Sequence, residues 1–364
     1  VVDGRQVSRM TDSGTVLHVT RDTRRAAVAA GAALLVIAGA CSSGGDASGG
    51  DASGGDAQGD SAAPTETTTP VGPFAVGRRT MTLVDASRTT PAVPDKLPER
   101  PDRTIEVVVV YPAEGEAGAE PTGEPVAPGA SVEDAPPAPG SCPLVGFAHG
   151  WNGLGDTFRG FAERWAREGY VVALPTFPLS QRDIAISADL ANQPGDVSFI
   201  VDELAALADD DPLAGHVDVE RLAVGGHSLG SATVFGIAYN SCCIDERIDA
   251  AIPVSGGTLP FEGGTYDGWP ATPMLLVHGA MDEGVPIGVG DAMFDLAKPP
   301  VWYLRPAEAT HSSVFTGEPG RLFNEAMIAF LDAELKGDDD ALETAGDEVA
   351  ASGIAEWRVK PAAP

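Results

Sequence analysis

Alternating strand and helix patterns predict an α/β fold with a mostly parallel central sheet and helices on both faces. Two observations carry this. Apolar runs such as "CPLVGFAHG" and "YVVALPTF" are almost uninterrupted, as strands covered on both sides require. Between such runs lie stretches with apolar residues at helical spacing, several of them closed by glycine.

The elements follow in order from about Ala75. "RRTMTLVDA" (Arg78–Ala86) and "RTIEVVVVYPA" (Arg103–Ala113) read as a leading antiparallel pair. Strands are expected at Cys142–Gly150, Tyr170–Phe177, Arg221–Gly226, Ile248–Gly256, Pro273–Gly279 and Pro300–Arg305. Helices are expected at Phe158–Gly169, at Asp196–Ala208 with Asp196 as an acidic cap, directly after Ser228, and at Gly320–Gly337. The Pro/Gly/Ala/Glu-rich stretch 114–140 reads as a low-complexity insertion between two strands. Residues 338–364 read as an acidic tail without assigned function.

The N-terminal region has a different character. Arg21, Arg24 and Arg25 precede "AAVAAGAALLVIAGA", which is apolar but shorter than the ~20 residues of a membrane span. Residues 1–40 therefore read as a signal peptide, with Met10 as an alternative start. Ala38, Gly39, Ala40 and Cys41 resemble a bacterial lipobox, although Leu is commoner at the position of Ala38. The resemblance implies lipidation at Cys41 and a cell-surface lipoprotein whose membrane contact is the anchor alone; a secreted protein is the alternative. Residues 41–74 repeat Gly-Gly-Asp-Ala-Ser and carry almost no large apolar side chain, the composition of a flexible tether.

The whole chain has 23 Lys+Arg against 53 Asp+Glu, a formal charge of −30. That balance argues against a nucleic-acid partner, which rewards clustered cations.

The chemistry centres on "VGGHSLGSA" (Val224–Ala232), which contains Gly226-x-Ser228-x-Gly230 at a strand-to-helix junction. A serine hydroxyl needs a base to remove its proton, an acid to orient the base, and N–H donors for the oxyanion. There are six histidines. His18 lies in the signal region, His216 in an acidic loop, and His227 beside the serine; His149 and His278 close strands. His311, in "AEATHSSVF", follows the last expected strand on the carboxyl edge of the sheet and is the candidate base. Asp282, in "LLVHGAMDEGVP", lies between serine and histidine and is the preferred acid, with Glu283 and Asp267 as neighbouring carboxylates. The oxyanion donors are expected to be the backbone N–H groups of Leu229 and Trp151, the latter in the glycine-rich "HGWNGLG" turn. No metal or organic cofactor is required by this chemistry.

"FAHGWNG", "GGHSLG", "VHGAMDEGVP" and "ATHSS", in this order, resemble the α/β-hydrolase superfamily over about Ala75–Gly337. Within it the chain is similar to the dienelactone hydrolase, chlorophyllase and bacterial polyester-hydrolase (cutinase-like) branch. The resemblance implies an α/β-hydrolase fold at 75–337 and a serine esterase acting on a small-molecule or polymeric ester through an acyl-enzyme. Two departures narrow it. Dienelactone hydrolases proper use cysteine where this chain has Ser228. "VVVVYPA" resembles platelet-activating-factor acetylhydrolases, but the position of their acid reads "PVSGGTLP" here.

A non-catalytic surface binding protein on the same fold, or an acyltransferase or amidase with the same triad, are the competing readings. Phe177, Phe261, Tyr266 and Trp269 are candidate substrate contacts or core cover. Cys142, Cys242 and Cys243 are candidate disulfide partners, either Cys142 with one of the pair or the pair with each other.

Overall fold

The computed structural model describes residues 72–118 and 131–362. The expected signal segment, Cys41 and most of the tether lie outside the described residues. In chain order the elements are β1 (Ala75–Asp85), β2 (Arg103–Ala113), β3 (Val132–Glu133), β4 (Cys142–Ala148), α1 (Arg159–Arg167), β5 (Val171–Thr176), α2 (Gln193–Ala205) and β6 (Val217–His227). There follow α3 (Leu229–Tyr239), β7 (Ile248–Val254), β8 (Met274–Val277), α4 (Ile287–Leu296), β9 (Val301–Pro306), α5 (Gly317–Lys336), α6 (Asp339–Ser352) and β10 (Ala355–Lys360).

One ten-stranded sheet has the order β10-β9-β8-β7-β6-β4-β5-β2-β1-β3. Strands β4 to β9 pair in parallel, and β1 and β2 form the antiparallel leading pair. The chain leaves β4 for β5 on one side and then returns to β6 on the other. That reversal opens a crevice at the carboxyl ends of β4 and β6, where open α/β sheets bind ligands.

Side chains alternate across the sheet with period two. Val145 and Phe147 face a core built with Phe161 and Trp165 of α1 and Leu322, Phe323 and Phe330 of α5. Leu144 and Val224 face the opposite core, with Ile200 of α2, Val234 of α3 and Phe294 of α4. Both faces of β4, and of β6 from Leu222 to Gly226, are therefore dry, which is why these stretches are nearly continuous apolar runs.

Three expectations need correction. The insertion is shorter than its composition suggests: β3 pairs with β1, Tyr111 donates to the Ala135 carbonyl at 2.8 Å, and Ser131 is buried against Glu163. The acidic tail is also part of the fold. Leu342, Ala345 and Val349 give α6 a buried stripe, and β10 pairs antiparallel with β9. The Lys360 ammonium donates to the carbonyls of Phe294, Asp295 and Ala297, fixing the end of β10 on α4. Asp196 is not a cap. Helix α2 starts at Gln193, and Asp196 lies fully buried against the Arg103 guanidinium, Nε donating at 2.6 Å.

Of the two cysteine pairings left open by the sequence, the structure has the vicinal one. Cys242 and Cys243 are bonded to each other, and Cys142 is a free thiol buried at the start of β4. The turn after α3 accounts for this. Asn240 accepts the Cys242 N–H on its side chain (3.1 Å) and the Cys243 N–H on its carbonyl (2.9 Å), which fixes the neighbouring cysteines in one tight loop. Burial holds the Cys142 thiol well above its ordinary range, at about 11.

Candidate active site

Strand β6 delivers the chain to Ser228, which adopts φ 57° and ψ −115° before α3 begins. A non-glycine residue in such a conformation carries roughly 1–3 kcal/mol of strain. The surroundings enforce it: the Ser228 N–H donates to the Val254 carbonyl at 2.9 Å. The flanking glycines are steric necessities. A Cβ at Gly226 would lie 2.4 Å from the Gly230 carbonyl oxygen, and one at Gly230 would lie 2.2 Å from that of Ala148. The turn therefore aims Oγ away from the sheet into the crevice.

His311 arrives on the loop after β9. Its Nε2 lies 2.9 Å from Ser228 Oγ, and its Nδ1 lies 2.8 Å from Asp282 Oδ2. The carboxylate can only accept, so Nδ1 carries the proton and Nε2 is free to accept from the serine hydroxyl. Asp282 is 7% exposed. Its other oxygen accepts the N–H groups of Gly284 and Val285, both at 2.8 Å, which fixes the carboxylate plane. The three residues selected from the sequence thus form one continuous hydrogen-bonded chain. Glu283 and Asp267, the rival acids, are exposed and stand outside it.

Three other histidines support this chain from behind. His227 Nε2–H donates to the His311 carbonyl at 2.8 Å, and its ring meets Phe315 edge-on at 4.9 Å. His278 Nε2–H donates to the Val285 carbonyl at 2.8 Å and lies 3.4 Å from Asp282 Oδ2. His149 accepts the Phe177 N–H on Nε2 (3.0 Å) and donates Nδ1–H to the Gly150 carbonyl (2.7 Å). The His311 carbonyl beside His227 and the Phe177 N–H beside His149 come from segments distant in the chain, so local spacing does not show these contacts, whereas His278 binds within its own loop.

Burial lowers the basicity of all three, and for His227 the neighbouring His311 adds to it, bringing it to about 4. A histidine held neutral in the folded protein but titrating near 6.5 when unfolded loses stability as pH falls between those values. For His227 this amounts to roughly 3 kcal/mol from about pH 6.5 to about pH 4. Urea midpoints measured across that window should fall steeply for the wild type and less steeply for His227→Gln. Identical slopes for both would show that His227 does not titrate in this way.

On the oxyanion side, Gly150 packs directly over the serine: a Cβ there would sit 3.1 Å from Ser228 Cβ. Trp151 is the next residue after Gly150, and Leu229 opens α3 directly after Ser228, so both expected donors belong to residues adjoining this close approach. Among the described residues neither N–H has a backbone carbonyl acceptor.

Of the two readings left open for Phe177, Phe261, Tyr266 and Trp269, their burial fits core cover. Phe177 is fully buried against the His149 ring (5.1 Å). Phe261 is buried against α3, with its ring filling the space beside Gly236. Trp269 is buried and stacks on Tyr239 at 5.0 Å. Tyr266 is half-buried, packs beside Trp269, and donates to the Leu259 carbonyl. These aromatics cover the core. The large apolar side chains exposed on loops at the carboxyl edge are Trp151 (57%), Leu259 (42%) and Met281 (59%), and sequence reasoning gave none of them a substrate-contacting side chain.

No known family matches this sequence, and no curated protein does. The architecture matches a solved ferulic acid esterase from Streptomyces cinnamoneus, with TM-score 0.57 and 22% identity over 76% of this chain and 93% of that one. At this identity the likeness is one of fold. Together with the sheet order and the strand-to-helix turn at Ser228, it shows that the described residues carry an α/β-hydrolase fold.

Proposed function

We propose that this protein is a serine hydrolase that cleaves carboxylic esters. The observation that carries the proposal is the chain Ser228 Oγ–His311–Asp282, with bonds of 2.9 and 2.8 Å, set on a strained turn at the mouth of the sheet crevice. The ferulic acid esterase that shares the fold is itself an ester-cleaving enzyme by its description.

His311 Nε2 removes the Ser228 proton as Oγ attacks the ester carbonyl. Asp282 keeps Nδ1 protonated and stabilises the imidazolium that forms. The N–H groups of Trp151 and Leu229 receive the oxyanion, and His311 returns its proton to the leaving alkoxide. Water then attacks the acyl-enzyme with His311 again as base, releasing the acid and restoring Ser228. The exposed side chains of Leu259 and Met281 offer an apolar rim to the ester's organic portions.

Two assays test the reading. The protein should hydrolyse p-nitrophenyl esters, with an optimum somewhere between acetate and long-chain acyl groups. A fluorophosphonate should label Ser228 and abolish that turnover. A folded protein that does neither is a binding protein on a hydrolase fold.

For the N-terminal region we propose export and lipidation at Cys41, on its basic-apolar-small order followed by cysteine. Metabolic labelling with an alkynyl fatty acid should mark the protein and disappear in Cys41→Ser. Labelling that persists in the variant excludes Cys41 as the site.

A further inference from the structure

The segment Phe177–Asn192, between β5 and α2, runs along the Gly150–Gly153 turn. Three hydrogen bonds join it to that turn, two of them backbone bonds flanking a parallel bridge. The Asn152 N–H donates to the Ser180 carbonyl at 2.7 Å, and the Arg182 N–H donates to the Gly153 carbonyl at 3.1 Å. Gly153 and Gln181 form a parallel bridge. The Trp151 indole N–H donates to the Ala185 carbonyl at 2.7 Å, although the Trp151 side chain is mostly exposed.

The segment is held in a shape that is not its cheapest. Ala185 has φ 57° and Asp183 has φ 74°, both left-handed without being glycine. That local cost is offset by an anchor beneath. Asp189 is 1% exposed. Its Oδ2 accepts the N–H groups of Leu179 (3.0 Å) and Ser180 (3.2 Å), and its Oδ1 accepts from Arg103 (2.9 Å) and Asn192 (3.2 Å). Arg103, fully buried on β2, also pairs with Asp196, to which Arg88 adds a second cation at 2.8 Å. A second tie runs from Ser180 through Gln193 to Thr233 on α3, one helical turn beyond Leu229.

Buried ion pairs contribute little net stability, because desolvation consumes most of their attraction. A network of this size beneath one surface loop is better explained by what the loop must hold still. An oxyanion donor works only within a few tenths of an ångström of its position. The glycine-rich turn carrying the Trp151 N–H has little rigidity of its own.

We propose that the Phe177–Asn192 segment is a positioning strap for the oxyanion hole, locked to the core by Asp189 and Arg103 and joined to Trp151 through the indole–Ala185 bond. Trp151 thus has two separate tasks: its backbone N–H meets the oxyanion, and its indole N–H holds that backbone in register. This rests on the ester-hydrolase reading above.

The test compares wild type with Trp151→Phe, which keeps an aromatic ring and the backbone N–H but loses the indole donor. Esters of p-nitrophenol report turnover, and phenylboronic acid, which forms a tetrahedral adduct with the serine, reports the oxyanion site. For Trp151→Phe, kcat should fall about tenfold with KM within about twofold, the pattern of an interaction made in the transition state. The inhibition constant for phenylboronic acid should weaken by about the same tenfold. That constant is a property of each active site, so a partly unfolded preparation cannot mimic the effect. Asp189→Asn, further from the chemistry, should shift the same two quantities in the same ratio. Unchanged boronate affinity in Trp151→Phe would overturn the strap while leaving the esterase reading intact. A folded wild type without ester turnover or fluorophosphonate labelling would overturn both.

Discussion

Ser228→Ala should reduce ester turnover to background, a loss of roughly 10⁶-fold in kcat where the triad acts as one unit. The reason is chemical. Ser228 Oγ is the atom placed 2.9 Å from the base, and nothing else on the turn can form an acyl bond. The backbone should survive, because alanine replaces serine at the same φ of 57° without adding an atom. Adding His311→Ala to Ser228→Ala should cost almost nothing further, since a base without a nucleophile has no proton to take. The check is single-turnover release of p-nitrophenol with enzyme in excess, beside thermal melting. A Ser228→Ala variant within tenfold of wild type would exclude Ser228 as nucleophile.

Asp282→Asn should cost about 10⁴-fold in kcat while leaving the loop in place. The arrangement around Asp282 makes this substitution especially clean. The N–H groups of Gly284 and Val285 both point at Oδ1, so they select the amide oxygen of an asparagine for that side. The amide NH₂ must then face His311 Nδ1. A donor there forces Nδ1 to accept, moves the imidazole proton to Nε2, and leaves no lone pair for the Ser228 hydroxyl. KM for a short p-nitrophenyl ester should change little, because the substrate touches neither group. NMR of the ring nitrogens should report the exchanged tautomer. Retention of the Nδ1–H tautomer alongside full activity would show that Asp282 does not orient His311.

Much of this site was legible in the sequence, for physical reasons. Gly226 and Gly230 flank Ser228 because the strand-to-helix turn tolerates no Cβ there, so steric constraint writes itself as a short motif. His311 and Asp282 could be found because the order of elements places the ends of parallel strands on one edge. What stayed hidden shares a different character. Helix α4 carries two glycines in its first turn, which weaken its intrinsic helix signal, and Met293 and Phe294 hold it on the sheet. The strap works largely through backbone carbonyls, which every residue possesses, so composition carries no trace of it. Phe177, Phe261 and Trp269 sit in glycine- and proline-rich stretches, where spacing does not say which way a side chain turns. The acidic character of residues 338–364 concealed a three-residue apolar stripe.

That concealed C-terminal region changes how the boundary of the catalytic unit should be drawn. With β10 in place, the outward peptide groups of β9 are already paired. A chain cut at Gly337 would keep Ser228, Asp282 and His311, yet its edge strand would be the apolar β9 in place of β10, whose Glu356, Arg358 and Lys360 are the charges that blunt an edge. Open edges are templates for intermolecular pairing. The last stretch of the sequence, the part composition makes easiest to discard, is thus a self-association guard, and its value would be read in solubility rather than in turnover.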